Sequence, residues 1–159
     1  MSYDLYCYKS KSSRPSIEEA LRIIEIDEER GEEIDTSATK AKNDIVNALI
    51  EANPRFRDNG GVLDLPEGDS SIQIFVNDHY VSISIPYWYK GVQCEAVFEE
   101  LLGYLKAIRK VAGYMVYDPQ TDKAFNPQEE STIDTTAYRR GVQMVEKVYK
   151  KRSWWKFWK

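Results

Sequence analysis

An α+β fold is what this sequence predicts: a mostly antiparallel sheet of about four to five strands with about four helices packed on it. Three observations predict it. Short alternating runs are grouped rather than each being followed by a helix. Two of them, Ile72–Val76 and Val81–Ile85, are joined by a tight polar connection. A 3.6-residue apolar stripe runs through Val92–Ala112.

The elements follow in order. Tyr3-Asp4-Leu5-Tyr6-Cys7-Tyr8 alternates and is rich in aromatics, which reads as a strand. After a polar loop, Pro15-Ser16 opens a helix. Ser16 is placed to cap its free amides and Glu19, three residues on, to complete a capping box. Ile17, Ala20, Leu21 and Ile24 form its buried stripe, and the helix decays into an acidic run near Gly31. A second helix starts at Asp35 or Thr36, with Ala38, Ala41, Ile45, Ala48, Leu49 and Ala52 at helical spacing. Asn53-Pro54 stops it, because the residue before a proline is driven away from helical geometry.

Gly61–Leu65 is a short strand behind the Gly60-Gly61 turn. Ile72, Ile74 and Val76, and then Val81, Ile83 and Ile85, alternate with polar residues across Asn77-Asp78-His79-Tyr80, an antiparallel hairpin. Its isoleucine face belongs to the core. Its serine face, Ser82 and Ser84, is expected to be wet or lightly covered. In the helix over Val92–Ala112, Val97, Leu101, Leu105 and Ile108 share one face and Gly113 ends the element. Tyr114–Tyr117 is a strand closed by the turn Asp118-Pro119-Gln120-Thr121, and Lys123–Pro127 is a brief extension. A last helix covers about 134–151, with Tyr138, Val142, Val145 and Tyr149 on one side. Without repeats or low-complexity linkers, residues 1–159 are expected to form one domain.

Composition narrows the function classes. A chain of 159 residues buries roughly two thirds of its unfolded surface and needs no disulfide or metal to hold it. The only two cysteines, Cys7 and Cys94, lie in no C-x-x-C or zinc-type spacing and are expected to be lone thiols. The first residues lack the apolar core of a signal peptide, and no run approaches a membrane span, so a cytoplasmic address is expected. No nucleophile elbow and no glycine-rich loop between strand and helix is present. No catalytic residue, no metal site, no cofactor and no nucleic-acid partner is expected. Asp64, Glu67 and Asp69 cluster around Gly68, but without EF-hand spacing they read as a polar loop. An enzyme would need scattered residues brought together; His79, Tyr87 and Asp118, all at strand ends, are the candidates.

Three features point instead to binding. From Glu18 to Asp35, nine acids including Glu25, Asp27, Glu28, Glu29, Glu32 and Glu33 stand against two arginines, a net charge of −7. Such a surface draws a basic partner; it also reads as a solvated helix face. Next, Pro86 leads into Tyr87-Trp88-Tyr89, three consecutive aromatics that cannot all face one core. At least one should reach the surface, where Tyr and Trp anchor partners. Last, the tail from Lys147 holds six bases and no acid, with Trp154, Trp155, Phe157 and Trp158 among them; the rest of the chain has 16 bases and 26 acids. Cations with interleaved rings suit a membrane surface or a nucleic acid. The expectation is that at least one tail tryptophan docks on the domain instead, because four free rings invite aggregation. The rival is a membrane surface met through Trp154, Trp155 and Trp158.

Three segments, Met1–Tyr6, Ile83–Trp88 and Gly113–Thr121, resemble small bacterial proteins of unknown function that include immunity proteins encoded beside polymorphic toxins. The resemblance covers under a fifth of the chain and defines no site residues. It implies a protein partner, a basic toxin domain being the candidate, and toxin neutralisation by direct binding. The sequence leaves the oligomeric state open.

Overall fold

The computed structural model describes residues 1–30, 36–66 and 70–154, with side chains at 1–25, 40–66 and 70–150. In chain order the elements are β1 (Ser2–Tyr8), α1 (Ile17–Arg30), α2 (Thr36–Ala52), β2 (Arg57–Asn59), β3 (Val62–Asp64), β4 (Gln73–Val76), β5 (Tyr80–Pro86), α3 (Val92–Ala112), β6 (Met115–Asp118), β7 (Lys123–Phe125) and α4 (Thr136–Trp154). The class is α+β, as the grouping of strands predicts.

The sheet has seven strands in the order β2-β3-β4-β5-β1-β6-β7, and every pairing between them is antiparallel. That exceeds the four to five strands expected. The strand missed outright is β2. Arg57-Asp58-Asn59 is wholly exposed and has no apolar alternation. It joins the sheet only through backbone pairing with β3, across a turn where Gly60 and Gly61 hold φ at 70° and 93°.

Register decides which face each side chain takes. In the β4–β5 hairpin Ile74 lies opposite Ile83, and both are fully buried. On the same face β1 contributes Tyr3, Leu5 and Cys7, over which α2, α3 and the first half of α4 pack. Leu101, Leu105 and Ile108 of α3 and Ile45 and Leu49 of α2 meet these strands in one cluster. The boundaries of α3 are those its stripe predicts. Gly113 caps it at φ 73°, its N–H donating to the Arg109 carbonyl at 2.9 Å. Phe56, leaving α2, packs tilted on Tyr104 with ring centroids 5.0 Å apart.

α1 covers the opposite face, but only at one side. Ala20, with Ile17, Ile23 and Ile24, packs on Tyr6 and Tyr8 of β1 and Met115 and Tyr117 of β6. Residues of β6 are therefore buried on both faces, which explains its unbroken apolar run. Half of the expected capping box forms: Ser16 Oγ accepts from the Glu19 amide at 3.3 Å. The Glu19 carboxylate turns to Ser10 Oγ and the Lys11 amide instead, while the Ser16 amide donates to the Tyr8 hydroxyl at 2.7 Å. These bonds tie the start of α1 to the end of β1.

Cys7 and Cys94 are buried free thiols, both pushed up in pKa by burial. Among the described residues, no helix is long and apolar enough to cross a membrane.

Candidate partner-binding surface

Among the described residues α1 packs on β1 and β6 of this sheet face, and the half over β3, β4 and β5 is only lightly covered. By register this half carries Asp4, Ser84 and Gln73 in one cross-strand row and Tyr6, Ser82, Phe75 and Val62 in the next. All are half-buried except Gln73, which is exposed. The serine face is thus lightly covered, as its alternation predicts. Asp4 is held in place: Ser84 Oγ donates to it at 2.6 Å and Ser2 Oγ at 2.9 Å. At the far side Gln73 Nε2 donates to Asp64 Oδ1 at 3.1 Å. Phe75 and Ser84 line a groove of about 660 Å³ that runs between Asp64 and Trp88.

Trp88 stands at one end of this groove, and the corner that carries it is built from within. Tyr87 turns inward. Its ring stacks on Tyr138 at 5.3 Å and meets Tyr3 edge-on at 6.5 Å. Tyr138 Oη donates to the Pro86 carbonyl at 2.6 Å and accepts from the Tyr89 amide at 3.1 Å. Tyr89 Oη accepts from the Ser71 amide at 2.6 Å. With Tyr87 and Tyr89 both committed, Trp88 between them points outward and is 61% exposed. Its ring lies edge-on to Tyr89 with centroids 6.2 Å apart. A large ring on a hydrogen-bonded corner, beside an open groove, loses little freedom when it is covered.

The other expected site residues fall in three groups. Glu25 is exposed on α1. Asp27, Glu28 and Glu29 belong to the helical backbone of α1, but their side chains lie outside those described. Glu32 and Glu33 lie outside the described residues, as do Glu67 and Asp69 of the acidic loop and Trp155, Phe157 and Trp158 of the tail. α1 shares the sheet face with the groove, so acids at Asp4 and Asp64 and the exposed Glu25 belong to one side of the molecule.

Of the scattered candidates, His79 is not brought together with Tyr87 and Asp118. His79 sits in the β4–β5 turn and Tyr87 beyond the other end of β5, at least roughly 20 Å away along a seven-residue strand. Asp118 is buried and its oxygens are occupied. They accept from the amides of Gln120 and Thr121 at 2.9 and 3.3 Å, from Thr121 Oγ1 at 2.8 Å, and from Tyr3 Oη at 2.5 Å. The Tyr3 phenol is driven far above its usual range, first by burial and then by this bond, so it stays a donor. Asp118 is therefore a turn anchor, as its place before Pro119 predicts. A neighbouring cavity of about 500 Å³ adds Asp122, Glu130 and Asp134 around Lys123. Among the described residues no cluster of His, Cys, Asp or Glu has the arrangement to hold a metal ion.

Sequence reasoning identified the aromatic corner but not the groove. Its signal was present: Asp4, alternating with the buried Tyr3 and Leu5, had to share the serine face. Comparisons with family models, with curated proteins and with solved structures find no match to this chain.

Proposed function

We propose that this chain is a protein-binding module of the immunity type, which neutralises a bacterial toxin by covering its surface. The observation that carries the reading is Trp88, presented outward by an internally bonded corner at the mouth of an open groove. Tryptophan is among the residues that dominate binding energy when a partner closes over them. Ordering costs little here, because the bonds of Tyr138 and Tyr89 already fix the corner.

The charge of the surface favours a basic partner domain. Asp64 lines the groove, Asp4 is hydrogen-bonded to its Ser2 and Ser84, and acidic residues are concentrated in the segment from Glu18 to Asp35. Opposite potentials speed encounter and disfavour wrong partners. Two free buried thiols suit a reducing, cytosolic setting. The resemblance of Met1–Tyr6, Ile83–Trp88 and Gly113–Thr121 to immunity proteins supports the same reading; the second of these segments contains the Trp88 corner.

Co-expression with the toxin gene adjacent to the one encoding this chain tests it. The expected result is cell survival and a recoverable one-to-one complex. Death at the rate seen without this chain, with no complex, sinks the reading.

A further inference from the structure

The residues that line the groove beside Trp88 carry one formal charge, Asp64, and no base. Phe75 and Trp88 contribute aromatic surface to it. Its volume of about 660 Å³ lies within the span of small-ligand pockets, roughly 300–1,000 Å³.

The polar groups of the groove are set to accept. Ser2 and Ser84 both line it, and both commit their hydroxyl hydrogen to Asp4, Ser84 at 2.6 Å and Ser2 at 2.9 Å. A hydroxyl has one hydrogen and two lone pairs, so each serine has only lone pairs left for a ligand. Gln73 gives an Nε2 hydrogen to Asp64 Oδ1 at 3.1 Å. Among the described residues, Asp64 Oδ2 has no hydrogen-bond partner. Asp4, Ser84 and Gln73 form one cross-strand row, and Asp64 extends it through Gln73. The inner donors of this row thus serve the carboxylates at its two ends, about 14 Å apart at three strand spacings. Only the second Gln73 amide hydrogen and the Ser71 hydroxyl remain as side-chain donors in the groove.

We propose that this groove takes an arginine side chain of the protein partner. The inference rests on the partner-binding reading and names the contact at its centre. A guanidinium has five N–H donors and no acceptor, the complement of this lining. It also spreads its charge over a plane that stacks on aromatic rings, which suits Phe75 and Trp88. Other occupants fit less well. An aliphatic side chain would cover Asp64 and the serine lone pairs without replacing their bonds to water. A carboxylate or phosphate would meet acceptors and a like charge. Lysine supplies the charge but neither the plane nor the fork of donors.

The test uses the full chain with N-acetyl-arginine amide as the probe, titrated while the indole N–H signal of Trp88 is followed by NMR. That signal is identified by its loss in Trp88→Phe. The citrulline derivative, similar in shape but uncharged, tests the charge, and the lysine derivative tests the plane. The arginine derivative should shift the Trp88 signal saturably, and the other two should bind at least about tenfold more weakly. Asp64→Asn keeps the shape of the side chain and an acceptor for Gln73, so the unfolding midpoint should hold. It should weaken binding of the arginine derivative at least about tenfold. A Trp88 signal that does not move overturns the proposal. So does equal binding of the citrulline or lysine derivative, or arginine binding that Asp64→Asn leaves unchanged. Any of these, alongside a toxin complex that depends on Trp88, removes the arginine contact and leaves the partner-binding reading in place. Selective arginine binding without a toxin complex supports the contact and sinks that reading. Self-association that Asp64→Asn abolishes, with no binding of the probe, gives the groove to a second copy and overturns the proposal.

Discussion

Gly141 of α4 lies so close to Tyr87 that a Cβ at this position would stand 2.2 Å from Tyr87 Cε1 and 2.6 Å from Cδ1. No side chain fits there unless the Tyr87 ring moves, and that ring is stacked on Tyr138 and edge-on to Tyr3. Gly141 thus leaves the room that the inward Tyr87 ring occupies.

Gly141→Ala should therefore destabilise the chain by about 1–3 kcal/mol through overpacking. Helix propensity acts the other way, by up to about 1 kcal/mol in favour of Ala. The two effects separate in a double-mutant cycle. In a Tyr87→Ala background the steric term vanishes, and Gly141→Ala should become neutral or stabilising in chemical denaturation. An equal loss in both backgrounds would mean that the contact with Tyr87 is not what requires glycine.

Leu101 lies at the centre of α3, fully buried against the isoleucines of the hairpin. Truncation to Ala removes its methyl groups and leaves a cavity, a cost of about 2–5 kcal/mol. A change below about half a kilocalorie would show that this face of α3 is not core.

Tyr138 links stability to pH. Burial, above all, pushes its phenol up from 10.0 to about 12. The native chain thus holds this proton more tightly than the unfolded chain does. The resulting stability is complete below pH 10 and is lost as pH rises from about 10 towards 12, by up to about 1.4 kcal/mol per unit. Tyr138→Phe should cost about 1 kcal/mol at neutral pH, since the Pro86 carbonyl and Tyr89 amide lose their partner. It should also flatten the alkaline decline measured by denaturation at pH 10 to 12. An unchanged slope would remove Tyr138 as a source of that decline.

Local patterns made most of the fold legible. The β4–β5 register follows from alternation, because a one-residue slip would expose every isoleucine. The end of α3 follows from Gly113. The strand β2 was not legible: Arg57-Asp58-Asn59 has no face to bury, and a backbone ladder leaves no trace in side-chain pattern. At the corner, sequence established only that three neighbouring rings cannot share one core. The room for an inward Tyr87 ring depends on Gly141, distant along the chain, and no local rule contains it. The groove lies on the lightly covered half of the sheet, a matter of helix placement that periodicity does not encode.

The most direct test of partner binding is the affinity of the co-expressed toxin for the unaltered chain and for Trp88→Ala, measured by titration calorimetry. Trp88 is mostly exposed, so its truncation should move folding stability by no more than about 0.5 kcal/mol. If it is the anchor, binding should weaken by at least about 2 kcal/mol, roughly thirtyfold. An unchanged dissociation constant, with a complex that still forms, would contradict the account by placing the interface elsewhere.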